Sequence, residues 1–335
     1  MILFSIFIIS CNFEKYRPNK INQPKDTLKV VIVENFLGET FNKSLLDSFE
    51  NGTNRYVHIF PFINIKTVLD SIKSNNFPYD IVLGIDDSFF RSFRKTGAFL
   101  KYQPKKLKSI SSKFNIDKWG FFTPYAYSYI CILADSSRIF RLPKTLGELQ
   151  DNEYTNQIII PDPIFTTVGK IFYAKTISRF SLDGHRHFWK SLEGNIRLIQ
   201  KSERSSYNMF LAKEGAFIIG ESTYPLSQIL TRGYSSLKPI LTDDFYIKKV
   251  QMVGILKNSK RIDIAKEFTE YLLSKSFQKG VSQNLWKFPV VENISLSSEF
   301  EQLKKLGKTG NDAVNYLYVL ARVDYYLDVN KNIFK

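Results

Sequence analysis

LKVVIV (Leu28–Val33), YVHIF (Tyr56–Phe60) and YDIVLGI (Tyr79–Ile85) are three apolar runs, and both intervals between them carry helical spacing. The first interval, Phe41–Phe49, meets a stop signal at Asn51-Gly52; the second, Ile65–Ser74, is amphipathic. Runs that stay apolar without alternating suit strands buried on both faces, as in parallel sheets. The βαβαβ order therefore predicts an α/β fold, a parallel sheet with helices on both sides. Asp86-Asp87-Ser88 follows the third strand and is placed to cap a helix from Ser88 to Thr96, with Gly97 as its stop. Side chains at the C-terminal ends of such strands face the crevice where ligands bind.

The second half repeats this style. Tyr129–Leu133, Ile158–Ile160, Ile196–Ile199 and Ala216–Gly220 read as strands. Leu146–Gln150, with Thr145 as N-cap, Lys170–Phe180, Phe188–Leu192 and Ser205–Ala212 read as helices. Ile247–Leu256 is long and apolar enough to pass between two lobes. Ile262–Ser282 is one amphipathic region, and Ala313–Tyr326 a closing helix. No internal repeat recurs at a fixed period.

A chain of 335 residues exceeds what one core usually fills, so two lobes are expected. Hydrophobic content of 44% is that of a globular protein. The net charge of +15 can attract polyanions or anionic lipid headgroups. The lysines are scattered, however, as on a solvated surface, and no nucleic-acid partner is expected. Cys131 lies in the apolar run YICIL and reads as a buried thiol.

Cys11 ends the run MILFSIFIISC. A short apolar stretch closing on a small residue and Cys resembles a bacterial lipoprotein signal, cleaved before a Cys that then carries lipid. Residues 1–11 are the expected signal and residues 12–26 (NFEKYRPNKINQPKD) a flexible tether. No basic residue precedes the apolar core, unlike the usual secretory pattern, and Ile2–Ile9 falls well short of the ~20 residues that span a bilayer. The expected place is periplasmic or at the cell surface, on a lipid anchor.

Four stretches in order carry a family resemblance: YDIVLGIDDSFFRSFRKTGAFLKY (Tyr79–Tyr102), FFTPYAYSYICILADSSRI (Phe121–Ile139), IIIPDPIFTTVG (Ile158–Gly169) and SKSFQKGVSQNLWKFPVVENISL (Ser274–Leu296). Together the chain resembles the thiamine-binding proteins of bacterial ABC importers, of the two-lobed type II periplasmic-binding-protein class. That resemblance implies mixed sheets flanked by helices and a ligand cleft between lobes that close by hinge bending. It implies lobe one at 27–122 and 257–298, lobe two at 123–256, and C-terminal helices at 299–335 packed on a lobe. The implied partners are an ABC permease and a small solute, thiamine or its phosphate esters, taken up by a monomer without cofactor.

Thiamine needs ring faces for its aromatic and cationic parts; a phosphate would use N–H groups at a helix N-terminus. By the resemblance, Thr166, Thr167 and Gly169 form the turn touching the hydroxyl or phosphate end, or an ordinary N-cap. Trp286 matches the pocket Trp, or is core. Tyr125, Tyr127 and Tyr129 lie on the crossover at strand spacing, facing one way, some lining the cleft and others packing. Asp86 binds a cation or caps its helix. The family's residues are altered at Val33, at Asn64-Ile65, at Glu203 where it has Trp, and at Glu221 where it has Tyr, although Tyr224 lies three residues on. Fewer rings and more carboxylates suit a more polar or more cationic solute, with ferric ion and polyamines as alternatives.

Catalysis is not expected. GxSxG, Walker and HExxH motifs are absent from the sequence. His185 and His187, at a loop-to-helix junction, do not face one metal, and no third ligand accompanies them. The rival from another class is a basic surface adhesin for anionic polymers.

Overall fold

The computed structural model describes residues 27–33, 43–62, 65–75, 77–233, 235–240, 242, 244–306 and 313–330. Cys11, the tether and Asn64 lie outside the described residues. The first βαβαβ unit is β1 (Thr27–Val33), α1 (Lys43–Thr53), β2 (Tyr56–Phe62), α2 (Ile65–Lys73) and β3 (Ile81–Asp86), followed by α3 (Phe90–Lys95). Next come β4 (Phe122–Asp135), β5 (Ile158–Pro161), α4 (Thr167–Leu192), β6 (Ile196–Gln200), α5 (Glu203–Leu211), β7 (Phe217–Glu221), α6 (Tyr224–Arg232), β8 (Leu237–Ile240) and β9 (Ile247–Ile255). The chain ends with α7 (Ile262–Leu272), α8 (Lys275–Asn284), β10 (Phe288–Pro289), α9 (Ser298–Leu306), α10 (Ala313–Leu320) and α11 (Val323–Val329).

The strands run in the order β2-β1-β3-β9-β4-β7-β5-β6, with β8 and β10 added to β4. Each half has a parallel core: β2-β1-β3 in one and β7-β5-β6 in the other. Between them β9 pairs antiparallel with β3 and β4, and β4 antiparallel with β7. At about 3.3 Å per residue, the 14 residues of β4 are long enough to serve both halves. The result is a two-lobed type II binding-protein fold, with the C-terminal ends of two parallel sheets facing one crevice.

β1 shows why both faces are apolar. Leu28, Val30 and Ile32 pack with Leu45 and Phe49 of α1 and with Phe268 and Phe277, whereas Val31 and Val33 pack with Val68 and Ile72 of α2. In the other half, Ile130, Ile158 and Phe217 meet α4 and the tail residues Tyr316, Val319 and Val323.

Several expectations are corrected. Asp86 does not cap a helix starting at Ser88: α3 starts at Phe90, without a side-chain cap. Asp86 Oδ1 instead accepts from the backbone N–H and hydroxyl of Ser88, at 2.9 and 2.5 Å. Ile262–Ser282 is two helices, because extended Ser274 accepts from Phe277 N–H at 3.2 Å and restarts the spiral. Ala313–Tyr326 likewise divides into α10 and α11. The expected break after Phe180 is present, since Ser181 at φ 63° and ψ 178° is not helical and kinks α4 there. His185 and His187, however, lie four and six residues past it, inside the second helical piece rather than at its start. His185 is buried and bonded to the Thr176 hydroxyl at 2.8 Å, while His187 is exposed. Among the described residues no helix is long and apolar enough to cross a membrane.

Tyr125, Tyr127 and Tyr129 do not share a face. Pro124 pairs with Met252 and Ala126 with Gln251, so Tyr125 is the extra residue of a bulge. Tyr125 turns toward Phe277, at 6.4 Å between ring centroids, while Tyr127 stacks between Phe114 and Phe288, at 4.6 and 5.1 Å.

Candidate ligand-binding site

A second bulge lies on the other side of β9. The β3–β9 register shifts between Leu83 and Ile85, and Gly84 between them has φ +87°. A Cβ there would sit 3.0 Å from the Val33 carbonyl oxygen, so glycine's freedom is used. The two bulges flank Gln251 and Met252 of β9. Together they set Asp86 opposite Gln251 at the mouth of the crevice.

The other wall is the N-terminus of α4. Thr166 is extended, and its Oγ1 accepts from Gly169 N–H at 3.1 Å while donating to the Asp162 carbonyl at 2.8 Å. Gly169 is needed for packing, since a Cβ would lie 2.0 Å from the Pro161 carbonyl oxygen. Val168 N–H donates to Glu203 Oε1 at 3.1 Å. The Thr167 hydroxyl donates across the crevice to Asp86 Oδ2.

Val33, Ile65 and Phe165 complete the walls with apolar surface, and Lys249 and Gln251 form part of the polar lining. The cavity left is about 20 Å³, little more than one water occupies. A solute of nutrient size therefore enters only when the halves part.

Behind this cavity stands a buried ion cluster. Glu221 Oε1 lies 2.6 Å from Lys249 Nζ, and its Oε2 accepts from Lys287 Nζ. Glu203 Oε2 lies 4.0 Å from Lys249 Nζ. Burial would raise the pKa of Glu221, but the two ammoniums overcome it and hold the carboxylate at about 2. At Lys249, Glu203 and Glu221 together outweigh burial and keep the ammonium charged, whereas burial prevails over Glu221 at Lys287 and lowers its pKa. Burial raises Glu203, against the pull of Lys249.

Of the sequence-selected residues, Asp86, Thr166, Thr167 and Glu203 meet at one cleft, together with the altered positions Val33 and Ile65. Tyr125 and Glu221 stand just behind it, close enough to Lys249 to feel its charge. Gly169 supports the helix. Tyr127 and Tyr224 are core, the latter against Tyr207 at 5.2 Å. Trp286 is half-buried against the main core and is not among the residues that line this cavity. Its backbone is left-handed at φ 52°, in the turn after α8 that brings Lys287 to Glu221. Lys249, Gln251 and Lys287 were missed. Their signal was a cation or amide inside the apolar runs IKKVQMVGI and WKFPVV, where burial demands a partner.

Among the described residues no group of three or more His, Cys, Asp or Glu is arranged to hold a metal ion. A cleft walled by two α/β lobes, bridged by side chains from both, defines a solute-binding protein. The chain belongs to the bacterial extracellular solute-binding protein family, whose model matches residues 76–315. It is thus a solute-binding component of an ABC importer, in a family of binding proteins rather than enzymes. The thiamine-binding periplasmic protein of Escherichia coli (strain K12) is 24% identical over 239 residues, covering 71% of this chain and 72% of that one. A solved periplasmic thiamin binding protein superposes with TM-score 0.76 at 19% identity, over 89% of this chain and 96% of the other. AfuA from Actinobacillus pleuropneumoniae, with fructose-6-phosphate bound, reaches TM-score 0.76 at 17% identity, over 92% and 99%.

Proposed function

We propose that this protein captures thiamine, or a related small cationic or phosphorylated nutrient, outside the cytoplasmic membrane and presents it to an ABC permease. The observation that carries the reading is the hydrogen bond from Thr167 to Asp86, which joins the two walls of the cleft. Parting the halves frees a carboxylate able to face a thiazolium or amine, and closure around the solute follows as its contacts replace that bond. The relatives named for thiamine support the choice of solute. In this reading Cys11 carries the lipid that holds the protein at the membrane, residues 12–26 are its tether, and the protein acts as a monomer. Lobe one is 27–122 with 257–298, and lobe two is 123–256.

Calorimetry and thermal melting with thiamine, its phosphates, polyamines and ferric salts test the solute. Tight binding raises Tm by mass action, and an unmoved Tm with thiamine and its esters removes the thiamine reading. Mass spectrometry of the membrane-extracted protein tests acylation at Cys11.

A further inference from the structure

We infer that Glu203 makes this cleft selective for the unphosphorylated form of its solute, by placing a built-in carboxylate where a phosphate would otherwise bind. The inference rests on the proposed capture of thiamine. A helix N-terminus attracts anions through its unpaired N–H groups and its dipole, and α4 opens directly onto the cleft. Here the N–H groups of the second and third residues of α4 are already engaged from within the protein. Gly169 N–H goes to the Thr166 hydroxyl and Val168 N–H to Glu203 Oε1, at 3.1 Å each.

Glu203 is held in place. It is 8% exposed, it is the first residue of α5, and its second oxygen lies 4.0 Å from Lys249 Nζ. Ser202 N-caps that helix by accepting from Ser205 N–H at 3.0 Å. Both α4 and α5 belong to the half built on β5, β6 and β7, so this contact survives when the cleft opens. The bond from Thr167 to Asp86 does not, because it joins the two halves.

The two buried cations of the cluster offer no alternative berth for a phosphate. Lys249 and Lys287 are both drawn onto Glu221. An opening cleft therefore presents the Asp86 carboxylate and the Thr167 hydroxyl, with Glu203 shielding the helix end. Two carboxylates, Asp86 and Glu203, line the cleft, and the one ammonium in its lining, Lys249, is already matched by Glu221. That balance favours a cation and opposes a second anion at short range.

The test is titration calorimetry of the full chain and of Glu203→Ala and Glu203→Ser with thiamine and thiamine monophosphate. The readout is the ratio of the two affinities on one protein sample, which is independent of the fraction folded. Wild type should prefer thiamine by about tenfold or more, and both variants should narrow the ratio by about tenfold as the Val168 N–H becomes free and the carboxylate charge is removed. Equal affinities in wild type, or a ratio the variants leave unchanged, overturn the inference. Melting with inorganic phosphate forms a separate arm. A rise in wild-type Tm overturns the inference even if thiamine binds, whereas failure of thiamine to bind wild type sinks only the solute assignment.

Discussion

Asp86 and Thr167, 81 residues apart in sequence, join side chain to side chain across the crevice. One ends a strand of the first parallel sheet and the other starts the helix after the first strand of the second parallel sheet, so the bond reports closure directly. Asp86→Asn keeps the shape but removes the charge that Thr167 donates to. Hydrogen bonds to charged groups contribute roughly 1.5–3 kcal/mol, so thiamine affinity should fall by about tenfold or more, with a smaller loss for Thr167→Val. Calorimetry checks both, and wild-type affinity in Asp86→Asn would refute the assignment of this pair to ligand capture.

A second bridge crosses the same boundary on the outside. Lys170 of α4 is buried, with Nζ 2.7 Å from Asp324 Oδ1 and 3.4 Å from the centroid of the Phe89 ring. Ser92 of α3 donates to Asp324 Oδ2 at 3.3 Å. The tail helix α11 thereby ties α3 to α4. Asp324→Ala strands a buried ammonium and loosens the closed state. Small-angle scattering without solute should show a larger radius of gyration than wild type, and addition of thiamine should reduce the difference.

How far this was legible depended on the kind of signal. Strands β1 and β3 are mostly apolar runs, and Asp86 and Thr166–Thr167 are legible because strand ends and helix starts mark crevices. The bulge at Gly84 had a sign, a glycine inside a strand. The bulge at Tyr125 had none, so three tyrosines at even spacing were given one face. Lys249 and Lys287 were counted as surface charge because their partner, Glu221, lies 28 and 66 residues away. Glu221 in turn read as a carboxylate open to a cationic solute, while the fold spends it on two lysines.

That triad sets the next expectation. Removing one member of a buried charge cluster leaves the others unpaired, at about 3–5 kcal/mol. Glu221→Leu should lower Tm by several degrees at least, whereas Glu221→Leu with Lys249→Met and Lys287→Met should recover much of the loss, since well-packed apolar groups often replace buried ions at no net cost. Differential scanning calorimetry distinguishes the two. A triple variant no more stable than the single one would show that the ions do not act as a unit.

Gly169 and Gly52 form a matched pair of opposite sign. A methyl group at Gly169 meets the Pro161 carbonyl oxygen at 2.0 Å, and the obstacle is backbone. Gly169→Ala must push α4 off β5, at about 1–3 kcal/mol or more. At Gly52, inside α1, nothing lies within 4 Å of the added carbon, and Gly52→Ala should stabilise by roughly 0.5–1 kcal/mol. Urea unfolding of the two variants reads both signs, and a neutral Gly169→Ala would mean the helix does not seat on the strand as described.

Two buried groups give the protein opposite responses to pH. Burial pushes His185 down to about 3, helped by the neighbouring Arg186 charge. Its neutral form is the native one, so its contribution is whole above the unfolded value near 6.5 and is lost as pH falls from there toward 3. Burial pushes Asp87 up to about 8, with the Asp86 charge adding to the rise and Lys249 opposing it. A raised carboxylate favours folding below its unfolded value near 4, and that contribution is lost as pH climbs to about 8. Asp87→Asn fixes the neutral state. Its Tm should exceed that of wild type at pH 8.5, and the gap should close by pH 4. A gap of equal size at both values would mean that Asp87 does not titrate between them, and that Lys249 holds it ionised throughout.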